Sequence, residues 1–130
     1  MPPGTKAQPA ENRWVYQDGP DFALLFEFGK SSPENPRYAP QNRAGTLAEV
    51  VAHVQGRVVG TFLEREETLH RNSFLGRAVV MSYEQAGGKR VYNARLFVGE
   101  ARLIQVVAVT SEAQRHDPRI DRFFDSLRLP

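Results

Sequence analysis

Glu64 and Glu66 are the residues whose type and spacing come closest to a catalytic pair. Residues two apart share one face of a strand, and neighbouring carboxylates can serve as general acid and general base. Here they alternate with Arg65 along a charged strand, and such charge is typical of a strand that resists pairing with another chain. We therefore interpret the pair as a solvated strand face without a catalytic role.

A second local pattern, Gly29-Lys30-Ser31, is similar to the end of a phosphate-binding loop. In such a loop, backbone amides and a helix N-terminus surround the phosphates, so the pattern needs an earlier glycine and a following helix. Leu24 occupies the place of the earlier glycine, and Pro33 follows where the helix should begin. We interpret these residues as the turn at the end of a strand.

The remaining residue types give no sign of a metal site or an activated nucleophile. His53, His70 and His116 each lack a second His, Asp or Glu at the spacing of a local metal motif. Cysteine is absent, and no serine stands in a G-x-S-x-G turn. We expect no metal, no cofactor and no enzymatic activity, with an enzyme site assembled from distant residues as the alternative.

The loop from Ser31 to Arg43 has the residue types of a binding site. It carries Asn35, Arg37 and Tyr38 among three prolines. Prolines reduce the entropy that a loop loses on binding, and Tyr and Arg are frequent anchors of protein interfaces. We predict that this loop contacts a protein partner, with a passive connecting loop as the alternative.

A second candidate surface is one face of the hairpins between Phe74 and Ser111. Asn93, Arg95 and Arg102 lie there beside Phe97 and Ile104, which we expect to be exposed or half-covered, so polar and apolar side chains are mixed. A mixed face of this kind suits a protein partner or a small ligand. We therefore include Asn93, Arg95 and Arg102 among the predicted binding residues.

Composition narrows the classes of partner. The 130 residues include 17 Lys and Arg against 15 Asp and Glu, a formal net charge of +2, and they contain no basic block. We expect no nucleic-acid partner.

No apolar run approaches the ~20 residues of a membrane span, so no transmembrane segment is expected. The proline-rich residues 1–12 predict a disordered lead or linker, and residues 13–130 predict one domain.

The strands that position these residues follow from apolar alternation. Periodicity predicts strands at Trp14 to Tyr16, Phe22 to Phe28 and Thr61 to Leu69, and three long strands between Phe74 and Ser111. Two-residue turns at Gly87-Gly88 and Gly99-Glu100 connect the three long strands. The resulting register pairs Tyr83 with Tyr92 and Val98 with Ala101.

Two helices complete the predicted order. The stretch Thr46 to Glu49 reads as a capping box, with Thr46 as the N-cap of a helix that ends near Gly56. Asp117 and Pro118 begin a second helix that reaches Leu127. The order β-β-α-β-β-β-β-α predicts an α+β domain: one antiparallel sheet of about six strands with both helices packed on one face.

This order resembles the PsbP-like superfamily, whose fold occurs in the extrinsic PsbP subunit of photosystem II, a Ran-binding nuclear-import factor and bacterial secreted or lipid-anchored proteins. A helix precedes the long hairpins, and the stretch from Ala94 to Leu103 looks like the penultimate hairpin of that family. The ending Phe123-Phe124-Asp125-Ser126-Leu127 looks like its closing Phe-x-x-Ser-Leu tail. A cystatin-like or other α+β fold is the structural alternative.

The resemblance implies a non-catalytic accessory or binding domain, because the superfamily shares no catalytic motif. It also favours an extracytoplasmic bacterial setting, with the cytoplasm as the alternative compartment. A second hypothesis is a carrier of a small apolar ligand or lipid, whose pocket between helices and sheet is lined by Met81, Leu96 and Phe123.

Overall fold

Apolar alternation along the chain produces one antiparallel sheet with a helix on each side, as seen in a computed structural model. The structure describes residues 6–8, 12–32, 34–85 and 87–128. The strands are β1 (Lys6–Gln8), β2 (Arg13–Gln17), β3 (Phe22–Lys30), β4 (Phe62–Arg71), β5 (Phe74–Gln85), β6 (Gly88–Gly99) and β7 (Arg102–Ser111). The α-helices are α1 (Arg43–Gly56) and α2 (Pro118–Asp125), and 3-10 turns lie at Pro36–Tyr38, Pro40–Asn42 and Glu112–Gln114.

The strands lie in the order β1-β2-β3-β7-β6-β5-β4, and every neighbouring pair is antiparallel. The α+β class and the six predicted strands are confirmed. The seventh strand, β1, falls within the predicted disordered lead, where Lys6 pairs with Val15. Backbone pairing with β2 thus orders three residues of that segment, while residues 1–5 and 9–11 lie outside the described residues.

The central strands are buried on both faces, which decides where the helices lie. Leu96 and Phe97 are consecutive residues of β6, so their side chains point to opposite sides of the sheet. They are 0% and 2% exposed, respectively. A strand that is apolar on both sides needs a cover on each face.

One helix covers each face, so the predicted packing of both helices on one face is wrong. α1 packs against the face that carries Leu96, which we call the α1 face, and α2 packs against the face that carries Phe97, the α2 face. The buried helix residues are Leu47, Val51 and Val54 of α1 and Ile120, Phe123 and Phe124 of α2. Within the described chain, neither helix is long and apolar enough to cross a membrane.

α1 begins one turn earlier than predicted. Its first residue is Arg43, and Thr46 is buried within the helix. The Thr46 hydroxyl donates a 2.7 Å hydrogen bond to the carbonyl oxygen of Arg37, so it anchors the preceding loop. The predicted capping box of Thr46 and Glu49 is therefore wrong, whereas the helix end at Gly56 is confirmed.

α2 begins as predicted. The Asp117 carboxylate accepts a 2.8 Å hydrogen bond from the amide of Arg119, and Pro118 occupies the first helical position. The Arg119 guanidinium lies 3.9 Å from the ring centroid of Phe22 and forms a 2.7 Å ion pair with Asp18. These contacts fasten the start of α2 to β3 and to the turn before it.

Both long hairpins are shifted by two residues from their predicted registers. The turn between β6 and β7 consists of Glu100 and Ala101, whose φ angles are 49° and 58°. Because side-chain direction repeats every two residues, the shift leaves each residue on its predicted face. Tyr83 pairs with Arg90 and Val98 with Leu103, in place of the predicted Tyr92 and Ala101.

The two edges of the sheet are short or irregular. β1 contributes three residues at one edge. At the other edge, a β-bulge between Leu63 and Arg65 interrupts β4, and the exposed charges of Glu66 and Glu67 follow it. Bulges and charges of this kind oppose pairing with a further strand.

Gly99 is required by a close approach of two backbones. A Cβ atom at this position would lie 2.7 Å from the carbonyl oxygen of Ser73 and 3.1 Å from the Cα of Phe74. We expect Gly99→Ala to lower the free energy of unfolding by about 1–3 kcal/mol in urea denaturation, because backbone must move. Gly29→Ala is the control, since a Cβ there meets nothing within 4 Å. Equal losses in the two variants would contradict the prediction.

Ala101 holds a left-handed conformation that disfavours residues with a Cβ atom. Glycine is preferred at the second position of a tight hairpin turn, so we expect Ala101→Gly to raise the free energy of unfolding by about 1 kcal/mol. Urea denaturation checks the sign. The same substitution at the exposed helical Ala48 should lower the free energy of unfolding by about 1 kcal/mol. A loss of stability at position 101 contradicts the assigned turn.

Candidate functional site

The predicted binding residues form two groups on opposite faces of the sheet, so they do not form one site. The loop before α1 holds Asn35, Arg37 and Tyr38, and the α2 face holds Asn93, Arg95 and Arg102. The sheet itself separates the groups, and each must be considered alone.

The side chains of the first group mostly order their own loop. Asn35 accepts a 3.1 Å hydrogen bond from the amide of Arg37 and donates a 2.8 Å bond to the Ser31 hydroxyl. Tyr38 is half-buried and packs against the core of the α1 face. Arg37 forms a 3.5 Å ion pair with Glu49 and keeps 54% of its side chain exposed. Arg37 is thus the member of this group that offers a charge to a partner.

The second group is partly covered by α2. The Arg95 guanidinium lies 4.8 Å from the ring centroid of Phe124 on the helix. Asn93 and Arg102 are half-buried, and Phe97, expected to be exposed or half-covered, is 2% exposed. The polar side chains of this face are partly exposed, whereas its apolar side chains, those of Phe97 and Ile104, belong to the core.

A groove beside α1 brings together residues that no local sequence pattern indicates. α1 packs against β5 and β6 and leaves the adjoining parts of β7, β3 and β2 open. The opening is a cavity of about 370 Å³. Its apolar wall consists of Leu25, Val54, Val58, Met81, Val107 and Val109.

Polar side chains surround this apolar wall. Arg13 and Glu27 form an ion pair of 3.3 Å at one end. Burial raises the pKa of Tyr92 to about 12, so its phenol remains protonated at neutral pH. Arg57 also lines the cavity, and its guanidinium forms no ion pair with the described residues. A partner that places a carboxylate here can therefore pair with Arg57 without breaking an existing ion pair.

A second cavity of about 380 Å³ continues the first along the helix. The two cavities share Val54, Arg57 and Gln105, and the second one extends to Arg37 and Glu49. We call this continuous depression the α1 groove. It connects Arg37, predicted from the sequence, with Arg57, which the sequence did not indicate.

One fully exposed apolar side chain borders the α1 groove. The connection from α1 to β4 leaves Val59 100% exposed, and its neighbours Val58 and Thr61 line the groove. Val59 therefore adds exposed apolar surface beside the groove. Phe62, the first residue of β4, is 65% exposed but pairs with Ser82, so its side chain lies on the α2 face.

The predicted carrier pocket, a single cavity lined jointly by Met81, Leu96 and Phe123, does not form. Met81 and Leu96 belong to the core of the α1 face, whereas Phe123 belongs to the core of the α2 face. All three side chains are at most 5% exposed, so they fill two separate cores. The reason is the placement of the helices on opposite faces.

Glu64 and Glu66 have different surroundings. Glu64 lies at the bulge, with 20% of its side chain exposed, and pairs with Arg115 at 2.5 Å. Glu66 pairs with Arg77 at 3.0 Å. The hydrogen bond from Arg115 lowers the pKa of Glu64, and a bond from Ser82 adds to the effect. Glu64 is therefore a structural ion-pair partner, which corrects its assignment to a solvated face.

Of the three histidines, His53 lines the second cavity of the α1 groove, and His70 and His116 line neither of its cavities. His53, His70 and His116 are all exposed. Across residues 12–32, 34–85 and 87–128, no three His, Asp or Glu side chains are grouped in a way that could hold a metal ion.

Sequence comparisons identify no family. No protein-family model matches the chain, and no curated protein matches its sequence. Similarity is found at the level of structure.

Two solved structures resemble this chain over most of its length. One is the crystal structure of PA94 from Pseudomonas aeruginosa, a protein of unknown function with a suggested role as a regulator; it has a TM-score of 0.71, 11% identity and coverage of 92% of this chain and 84% of its own. The other is the solution structure of the cyanobacterial PsbP, CyanoP, from Synechocystis sp. PCC 6803, with a TM-score of 0.64, 11% identity and coverage of 97% and 91%. The chain therefore has the PsbP-like fold, which confirms the predicted resemblance.

The ionised form of Glu64 stabilises the folded chain through Arg115, which predicts a pH dependence. Its folded-state pKa is lowered, so the stabilisation is complete above the unfolded-state pKa and is lost as the pH falls through the folded-state value. We expect Glu64→Gln to lower the free energy of unfolding at neutral pH, and the difference from wild type to shrink in acid. Urea denaturation across pH measures this difference, with the exposed Glu67→Gln as control. A difference that does not change with pH contradicts the assignment.

Proposed function

We propose that this chain, a domain with the PsbP-like fold, is a non-catalytic accessory domain that binds another protein through the α1 groove. The observation that carries the proposal is an open apolar groove bordered by the fully exposed side chain of Val59. Tyr and Arg, which are enriched at protein interfaces, line the groove at Tyr92 and Arg57.

The position of Val59 favours a macromolecular partner over a small ligand. This side chain lies outside the groove, on the connection that forms its border. A small molecule in the groove would leave it in water. A protein segment that fills the groove can also cover the neighbouring connection, and burial of a valine side chain contributes roughly 1.5–3 kcal/mol.

The groove also suggests the chemistry of the bound segment. Its long axis runs beside α1 from Arg37 to Arg57, which suits an extended segment. Apolar side chains of the partner would contact Leu25 and Val109, which are partly exposed. A carboxylate of the partner would pair with Arg57. Arg37, a predicted binding residue, adds a second cation at the far end of the groove.

The titratable groups of the groove support a binding role over a catalytic one. Arg13 and Glu27 satisfy each other in an ion pair. Tyr92, with a pKa near 12, is a poor general base at neutral pH because almost none of it is ionised. A regulatory role, the one suggested for the Pseudomonas protein, is one form that such binding takes.

The test begins with the partner's identity. A photo-crosslinking phenylalanine analogue at position 59 should capture the partner, whereas the same analogue at the exposed Arg122 of α2 should not. Binding of the purified partner is then measured by calorimetry. We expect Arg57→Glu to weaken binding at least about tenfold, because charge repulsion replaces an ion pair. Arg122→Glu on the opposite face is the matched control and should leave the dissociation constant unchanged.

Arg37 and Tyr38 are to be tested separately, because their surroundings differ. Arg37→Ala removes an exposed side chain and should weaken binding without affecting the fold. Tyr38 packs in the core, so its substitution would confuse binding with stability. If Arg57→Glu and Val59→Asp both bind the purified partner as the wild type does, the α1 groove is not the binding site.

A further inference from the structure

The α2 face contains an apolar groove that the proposed function does not use. Its volume is about 410 Å³, and it lies between α2 and the outer strands β2 and β3. Trp14 forms the outer wall, with its ring 5.4 Å from that of Phe26 and stacked at 6.4 Å on that of Phe28. The lining residues are Trp14, Phe26, Val106, Phe123, Ser126, Leu127 and Arg128.

A cationic pocket of about 380 Å³ adjoins this groove at the end of α2. Arg71, Arg95 and Arg128 line it, and none of these three side chains forms an ion pair with the described residues. Asp125 is the one carboxylate in the lining. Asn72, Phe97, Phe124 and Leu127 complete the wall. The pocket thus carries an excess of positive charge.

The strand register shows how the two cavities are joined. Trp14 pairs with Phe26, Phe26 with Val106, and Val106 with Arg95, so these residues form one row across β2, β3, β7 and β6. At about 4.8 Å per strand, the row spans about 14 Å between its end Cα atoms. Leu127 and Arg128, just past the end of α2, line both cavities. The row therefore leads from an aromatic wall to an arginine.

The arginines are arranged to receive an oxyanion. The guanidinium of Arg95 lies over the ring of Phe124, 4.8 Å from its centroid, a contact that leaves its N–H donors unused. One terminal nitrogen of Arg71 donates a hydrogen bond to the carbonyl oxygen of His70. One terminal nitrogen of Arg128 donates to the carbonyl oxygens of Asp125 and Leu127. A guanidinium has five N–H donors in a planar fork, so donors remain for a carboxylate or phosphate.

We propose that the α2 face binds a single-chain amphiphile with an anionic head. The acyl chain lies in the groove formed by Trp14 and Phe26, and the carboxylate or phosphate head is bound by Arg71, Arg95 and Arg128. Charge complementarity favours an anion, and the adjoining apolar groove favours an attached chain over a free ion. The site lies across the sheet from the α1 groove and does not depend on the proposed protein partner.

Trp14 is the single tryptophan of the chain, so its fluorescence reports on the apolar groove. The purified chain is titrated with dodecanoate, dodecyl phosphate, dodecanol and inorganic phosphate below the micellar range. We expect both charged amphiphiles to shift the emission in a saturable way, and dodecanol to bind at least about tenfold more weakly. Inorganic phosphate should not displace dodecanoate at equal concentration.

Variants separate the head from the chain. Arg71 and Arg128 are exposed, so Arg71→Gln and Arg128→Gln should fold normally. Each should weaken dodecanoate binding about tenfold and leave dodecanol binding unchanged, because only the head contacts a guanidinium. Arg57→Gln, the same substitution on the opposite face, is the control. It should leave dodecanoate binding unchanged even if it affects a protein partner.

Four results would overturn the proposal. The arginines do not bind the head group if dodecanol and dodecanoate bind with equal affinity. The same conclusion follows if both arginine variants bind dodecanoate as the wild type does. Displacement of dodecanoate by inorganic phosphate removes the role of the apolar groove. A change in Trp14 emission with phosphatidylglycerol vesicles but with no monomeric amphiphile assigns the surface to membranes instead.

Discussion

The central strands β6 and β7 must be covered on both faces, and the other features of the structure depend on this requirement. Leu96, Phe97 and Val98 are consecutive and buried, so both faces of β6 are covered along this stretch. Each such side chain contributes roughly 1.5–3 kcal/mol when buried. Seven strands span about 29 Å, whereas a helix is about 10 Å wide. A single helix on each face therefore covers the centre and leaves grooves beside it, which is where both candidate sites lie.

Several elements of the fold could be predicted because short-range interactions between neighbouring residues determine them. Asp117 and Pro118 define the start of α2, because a capping carboxylate and a proline act within one turn of the helix. The hairpin turns were harder to predict, because Gly99 is a typical turn residue that serves here to admit the Ser73 carbonyl. The turn uses Glu100 and Ala101 instead. The placement of the helices was missed because the apolar residues of the second face were read as partly exposed.

The candidate sites were less predictable than the fold, because they depend on pairings between distant strands. Arg37 and Arg95 were recognised from their residue type and their loop or strand position. Tyr38 was assigned to a binding surface; its ring is half-buried against the core of the α1 face, and a loop sequence does not show which way an aromatic side chain faces. No local sequence pattern indicates that Arg57 belongs to a binding site. It becomes notable only once α1 is placed beside an uncovered part of the sheet.

The irregular edges of the sheet determine what kind of recognition this domain can perform. A partner that adds a strand to a sheet is held mainly by backbone hydrogen bonds, which are nearly independent of sequence. The bulge and charges of β4 and the brevity of β1 oppose that mode. Recognition is left to side chains on the two faces, where each substitution changes one contact. Selectivity on either face can therefore diverge by single substitutions while the hydrogen-bonded framework stays the same.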